Sequence, residues 1–279
     1  MMRNKKPGIR FRMIILGILM LFASLVSLFP ILYAMLSSFK TRAEMGDVLA
    51  LPSSFYFENY QVAWERANFP VLLTNSLFVT VLSLMMILVI GSLAAYPISR
   101  GSGKLYVFLY LLFLSGMMVP FQSGMIPLYG LIRNIGLMNS RLSLVLIAVN
   151  VSIPITILIF TGFIKTIPRE LEEAAKIDGC GYMKTLFRIV FPLLTPATVS
   201  VIILNILPIW NDFMSPLLFI SKAELRTLPV GIYMFIGDRS SDFGPIFAIS
   251  TLTLVIPVAL FLSLQKYFYK GITAGAVKG

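Results

Sequence analysis

Six long apolar runs, separated by short segments that hold nearly all of the charge, constrain this chain more than any other feature. They fall at about 13–36, 72–98, 105–129, 142–164, 190–213 and 245–264. Each is long enough to cross about 30 Å of hydrocarbon at about 1.5 Å per helical residue. Lipid offers no water to backbone N–H and C=O groups, so each run must satisfy them internally as a helix. Composition agrees: 58% of the 279 residues are hydrophobic and 13% charged, against about 45–50% and about 25% in soluble domains. The expected fold is all-α, a polytopic membrane helix bundle of about six transmembrane helices, forming a single domain over residues 1–279. Pro120, Pro127 and Pro208 interrupt the third and fifth runs, and each removes a helix hydrogen bond. Such breaks suit a bundle that lines a path rather than a set of plain anchors.

The first run follows Arg3, Lys5, Lys6, Arg10 and Arg12, a start shared with secretory signal peptides. Those carry about 7–15 apolar residues and a small-x-small cleavage site; this run is longer and ends without one, so a retained span is expected. With the N-terminus placed in the cytoplasm, the inner segments hold 15 Lys and Arg and the outer segments 8. The excess of inner cations predicts that N-terminus and C-terminus are both cytoplasmic. The net charge of +11 then reports topology rather than nucleic acid, whose recognition needs a basic patch on a folded domain. Cys180 is the single cysteine and there is no histidine. That excludes an intramolecular disulfide, His/Cys metal sites, and Ser-His-Asp or Cys-His catalysis. No catalytic or metal-ligating residue is expected, and the chain reads as no enzyme.

The largest outer segments are about 37–71 and 220–244. The second carries Gly231, Gly237 and Gly244, which predicts a turn-rich loop. The inner segment 165–189 is the most informative. Pro168 suits the first helical position, Glu170, Glu172 and Glu173 complement the dipole in the first turns, and Gly179 is a natural left-handed C-cap. A second helix from about Tyr182 leads into the next span and meets Pro192. The product is a helix–turn–helix at the inner membrane face.

Within it, Glu173-Ala174-Ala175, then Gly179, Ile189 and Phe191-Pro192 stand at the spacing EAA-x3-G-x9-I-x-LP. This resembles the EAA loop of ABC importer permeases, with Phe191 where leucine is usual. Pro120, Gln122, Ile126-Pro127-Leu128-Tyr129 and Gly136-Leu137 look like the third span of carbohydrate-type importer permeases. Trp210-Asn211-Asp212-Phe213 resembles the end of their fifth span. The tail from Gly271 to Gly279 is similar to that of the six-span permease subunit of maltose-type systems.

The resemblance implies a type I importer permease fold in the cell membrane of a prokaryote. It also implies a second, different permease subunit, two ATP-binding cassette subunits, an extracytoplasmic solute-binding protein and a sugar substrate. ATP would be used by the cassette subunits, and this chain would bind no cofactor. The residues implied in ATPase-subunit coupling are Glu173, Ala174, Ala175, Gly179, Ile189 and Pro192, with Gly271, Thr273 and Gly275 as a second contact at the C-terminus.

Polar groups in or near the spans, Gln122, Asn150, Asn205, Asn211 and Asp212, are candidates for the substrate path. For Gln122, Asn150 and Asn205, as for Asn75, interhelical hydrogen bonds are the simpler explanation. Asp212 is the one carboxylate at a span, open to a structural or gating role or to substrate contact. A secondary transporter driven by an ion gradient is the alternative; it predicts paired intramembrane charges and inverted repeats. Gly101-Ser102-Gly103-Lys104 imitates a phosphate-binding loop, but Ile98 and Leu105 occupy the positions where that motif needs Gly and Ser or Thr. A short turn between two spans is the expectation there.

Overall fold

The computed structural model describes residues 7–238 and 242–276, with side chains over 12–237, 242–259 and 262–263. The regular structure among the described residues is helical throughout. In chain order it runs α1 (Pro7–Ser37), α2 (Glu58–Arg66), α3 (Phe69–Arg100), α4 (Lys104–Ser115), α5 (Met125–Asn134) and α6 (Arg141–Ile164). There follow α7 (Glu170–Ile177), α8 (Tyr182–Thr185), a π-helical turn over Leu186–Val190, and α9 (Phe191–Leu193). The last four helices are α10 (Thr195–Trp210), α11 (Met214–Phe219), α12 (Leu228–Asp238) and α13 (Phe243–Ala276).

α1, α3 and α6 are each long and apolar enough to cross a membrane. In α1 the most apolar window has no buried side chain; Met20 and Phe22 are among many exposed apolar groups. A helix that is apolar all round fits a membrane span.

The runs at 105–129 and 190–213 are not single straight helices. Lys104–Met118 and Phe121–Asn134 meet at 94°, and Tyr182–Leu193 and Thr195–Trp210 at 77°. The first break falls at Val119 and Pro120, both extended, because proline biases its predecessor out of the α region. Pro127 instead sits in the first turn of α5, where no N–H is needed. The second break is at Leu194 (ψ 4°) and not at Pro208, which lies in the last turn of α10. Pro196 opens the new helix, a position where a missing donor costs nothing.

The chain forms two compact units, one comprising the chain to Phe69 with Met234–Val255, the other Pro70–Tyr233 with Ile256–Gly279. In the second, α6 is the central helix. Val145 and Ile157 are completely buried, as are Phe160 and Ile164, and α4, α10 and α11 pack around it. Lipid tails are as apolar as leucine, so burial alone drives little helix association; close packing by small residues does. Accordingly Ser83, Ser152 and Thr156 are buried. Gly91 lies so near Thr156 that a Cβ there would overlap its methyl group.

At the other end of α6, Asn75 of α3 donates to the carbonyls of Glu224 and Arg226, both at 2.9 Å, and accepts from Arg141 at 3.1 Å. Gly231 is not a turn residue: it lies inside α12, where a Cβ would collide with the Leu72 side chain. The segment expected to be turn-rich is therefore largely helical. Its glycine is required by a close approach and not by backbone shape.

In the first unit, Lys40 is 2% exposed. Its ammonium donates to the carbonyls of Asp47 at 2.9 Å and Val48 at 3.4 Å and lies over the Tyr33 ring. Buried Asn59 donates to Ser38 and Lys40 carbonyls at 2.9 and 2.8 Å. Gly244 leaves room for that amide, since a Cβ would sit 2.5 Å from its oxygen.

Candidate functional site

The inner segment folds as a short helix, a tight turn and a second helical stretch. α7 begins at Glu170 with Arg169 as its N-cap, so Pro168 stands just before the helix rather than at its first position. Glu170, Glu172 and Glu173 occupy the first turn, where the dipole favours them. The helix ends in a Schellman motif. The Gly179 N–H reaches the Lys176 carbonyl at 3.0 Å, the Cys180 N–H reaches that of Ala175 at 2.8 Å, and Gly179 has φ +77°.

Helical periodicity divides the motif between two faces. Glu172 and Ala175 are buried, whereas Glu173 and Ala174 are exposed, as is Gly179. Ile189 is half-buried in the π turn and Pro192 is exposed in α9. The six residues of the spaced motif thus belong to one local element, with Glu173 and Ala174 on its open side. Gly271, Thr273 and Gly275 lie on the backbone of α13, which continues without interruption to Ala276. Val277, Lys278 and Gly279 of the tail lie outside the described residues.

The buried face of α7 carries a feature that sequence reading missed. Glu172 pairs with Arg100 at 2.6 Å and accepts from Arg100 Nε at 2.7 Å on the same oxygen. Its second oxygen accepts from the Tyr96 hydroxyl at 2.7 Å. Arg100 Nη2 also donates to the Ile167 carbonyl at 2.9 Å. Tyr96 in turn packs on Tyr182 of α8, ring centroids 4.7 Å apart. In the sequence, Glu172 is one of three similar carboxylates and Arg100 one of many topology-setting cations; 72 residues separate them, and only folding pairs them.

Gly101–Gly103 is the whole connection between α3 and α4, with Gly103 at φ +108° as the N-cap of α4. That is a turn, as expected, and not a phosphate cradle.

The five path candidates do not converge. An open groove of about 1040 Å³ lies between the broken α4–α5 pair and α6, walled by Phe113, Pro120, Leu128, Val149 and Pro154. Among the five, Asn150 alone lines it. Gln122 is exposed on a single turn of 3-10 helix, and Asn211 is the exposed C-cap of α10. Asn205 is buried and its amide donates to the Val201 carbonyl of its own helix at 2.8 Å. Asp212 is half-buried and accepts the Ser215 N–H at 3.1 Å, ordering the first turn of α11. Asn205 and Asp212 thus each make a local hydrogen bond, within α10 and to the start of α11.

An apolar helical chain with broken spans and an EAA-type loop on a short amphipathic helix has a counterpart among known proteins. The family described as binding-protein-dependent transport system inner membrane component matches residues 87–274, a range that includes Arg100, α7 and the groove. This chain belongs to that family. The permease is 36% identical over 251 residues to the melibiose/raffinose/stachyose import permease protein MelC of Bacillus subtilis, covering 90% of this chain and 91% of that one. It is 34% identical over 272 residues to the probable starch degradation products transport system permease protein AmyC of Thermoanaerobacterium thermosulfurigenes, covering 96% and 97%. A solved bacterial ABC transporter involved in import of the acidic polysaccharide alginate contains a chain of the same fold, with TM-score 0.82 at 21% identity, covering 95% and 99%. The permease is accordingly an integral membrane protein of the ABC importer type, a transport subunit and not an enzyme.

Proposed function

We propose that this permease carries a sugar or oligosaccharide across the membrane, and that α7 couples the passage to ATP hydrolysis on partner subunits. The observation that carries the proposal is the two-faced α7. It offers Glu173 and Ala174 outward while Glu172 and Ala175 hold it to the bundle. An exposed carboxylate beside a small exposed side chain suits insertion into a cleft of an ATP-binding cassette subunit. Glu173 makes the polar contacts there and Ala174 permits close approach. Cassette closure on ATP then moves α7 and the helices attached to it, alternating access between the two sides. ATP is bound and used by two cassette subunits, and this chain holds no cofactor.

The sugar class is supported by relatives whose names specify melibiose, raffinose and stachyose, or starch degradation products. A second, different permease subunit completes the pathway. A solute-binding protein delivers the sugar; a structural relative with TM-score 0.65 is described in complex with an alginate pentasaccharide-bound periplasmic protein. The chain is multi-pass in the cell membrane of a prokaryote, with both termini and α7 cytoplasmic, as the excess of inner cations favours.

The test is Glu173→Lys, with Lys176→Ala on the same helix as control. Glu173 is exposed, so its replacement costs the fold within about 0.5 kcal/mol. A reversed charge in a partly desolvated cleft costs about 2–5 kcal/mol of interface energy. Normal membrane abundance with lost copurification of cassette subunits, or with ATP hydrolysis uncoupled from uptake, is the expected outcome. Full assembly and full uptake would refute the coupling role.

A further inference from the structure

We propose that Glu172, the residue before the EAA triplet, is a positioning residue that clamps α7 to the C-terminal end of α3, so that α3 moves with α7 as one body. The inference rests on the coupling role of α7 argued above and adds the route by which its movement spreads. By chain connectivity α7 leads only from α6 and into α8–α10. The Glu172 cluster adds a third helix through contacts with no covalent counterpart.

Its chemistry is that of a clamp. Arg100 Nε and Nη2 both address one Glu172 oxygen, and Tyr96 addresses the other. Arg100 Nη2 also holds the Ile167 carbonyl on the segment that enters α7, and Arg169 returns a longer contact of 3.4 Å to the Arg100 carbonyl. Apolar contacts tolerate sliding, whereas a guanidinium fork on a carboxylate fixes direction as well as distance. Burying such a pair gains little stability over well-packed apolar residues, because desolvation offsets the attraction. A pair in which Glu172 is buried and Arg100 half-buried, set between two helices, is therefore better accounted for by geometry than by stability. Glu173, one position on, points outward; adjacent carboxylates divide the tasks of reaching the partner and gripping the bundle.

The experiment uses the assembled complex in nanodiscs on a Cys180→Ser background, with spin labels at Val89→Cys on α3 and Ile177→Cys on α7. Both native side chains are exposed. Distances are compared between the nucleotide-free and the ADP–vanadate-trapped states. The clamp predicts one narrow α3–α7 distance, unchanged between states. Glu172→Ala is expected to lose that constancy while cassette subunits still copurify, and to lower the coupling of uptake to hydrolysis by about tenfold. Arg100→Lys, which keeps the charge and loses the fork, should be intermediate and guards against a Glu172 variant that fails to insert. A wild-type α3–α7 distance that changes on trapping overturns the proposal, whatever the variants do. So does loss of cassette binding in Glu172→Ala to the extent seen with Glu173→Lys, which would make Glu172 a docking residue. Failure of the unlabelled wild type to bind cassette subunits would strike the docking role alone. The wild-type distance in the isolated permease, narrow and lost as a single population in Glu172→Ala, would still decide the clamp.

Discussion

Gly179 isolates the contribution of backbone shape to the α7 turn. Its φ is +77°, and a Cβ built there meets nothing within 4 Å, so substitution adds strain without a clash. For an L-residue the left-handed conformation costs about 1–2 kcal/mol. Gly181, two residues on, is also open to solvent but has φ −72° and ψ 166°, extended backbone that any residue adopts. Gly179→Ala should therefore weaken binding of the cassette subunits by roughly 5–30-fold, the factor that one or two kcal/mol represents. Gly181→Ala should stay within about 0.5 kcal/mol. Asparagine tolerates the left-handed region and valine resists it, so the loss should increase in the order Asn, Ala, Val at position 179. Two measurements apply: affinity of the nanodisc-embedded complex for its cassette dimer, and hydrogen exchange of the Cys180 amide, whose bond to the Ala175 carbonyl closes the motif. Equal effects at 179 and 181, or asparagine as damaging as valine, would refute the conformational argument.

Gly91→Ala should lower the thermal midpoint of the purified permease, at a cost of about 1–3 kcal/mol for overpacking against Thr156; Thr156→Ser removes the overlapping methyl and should restore it. Asp212→Asn keeps an oxygen for the Ser215 N–H and should leave uptake dependent on ATP and resistant to proton uncouplers, whereas Asp212→Ala should cost about 0.5–2 kcal/mol through the lost cap. Uptake that collapses with the ion gradient at constant ATP would instead favour secondary transport. Glu44 accepts from the Ser53 hydroxyl and from the backbone N–H groups of Thr41 and Ser53, which hold its carboxyl at about 2, below its ordinary 4.5. A carboxyl depressed on folding contributes order that is complete above about 4.5 and is lost as pH falls toward about 2. A carboxyl-carbon NMR titration of Glu44 should show that midpoint, and one near 4.5 would remove the argument.

What the sequence determined by itself were the properties that need only local physics. Apolar length sets which segments are helices in lipid, the distribution of Lys and Arg sets the expected orientation, and the spacing from Glu173 to Pro192 marks the EAA-type loop. Its turn was legible because Gly179 answers to a local torsional demand. The positions of the two helix breaks were only half legible, since proline states where a hydrogen bond is missing but not whether the helix bends there: Pro120 breaks its run, while Pro127 and Pro208 do not. What tertiary structure alone decided were partners distant in the chain. Gly231 and Gly244 look like turn residues and are instead close-approach sites, because the need for an absent Cβ arises from Leu72 and Asn59 across a helix contact. Asn205 and Asp212 look like membrane functional groups and spend their hydrogen bonds nearby. Glu172 is one of three adjacent-looking acids until folding brings Arg100 and Tyr96 to it. Its identity as the inward carboxylate depends on which face of α7 meets the bundle, a choice made by packing.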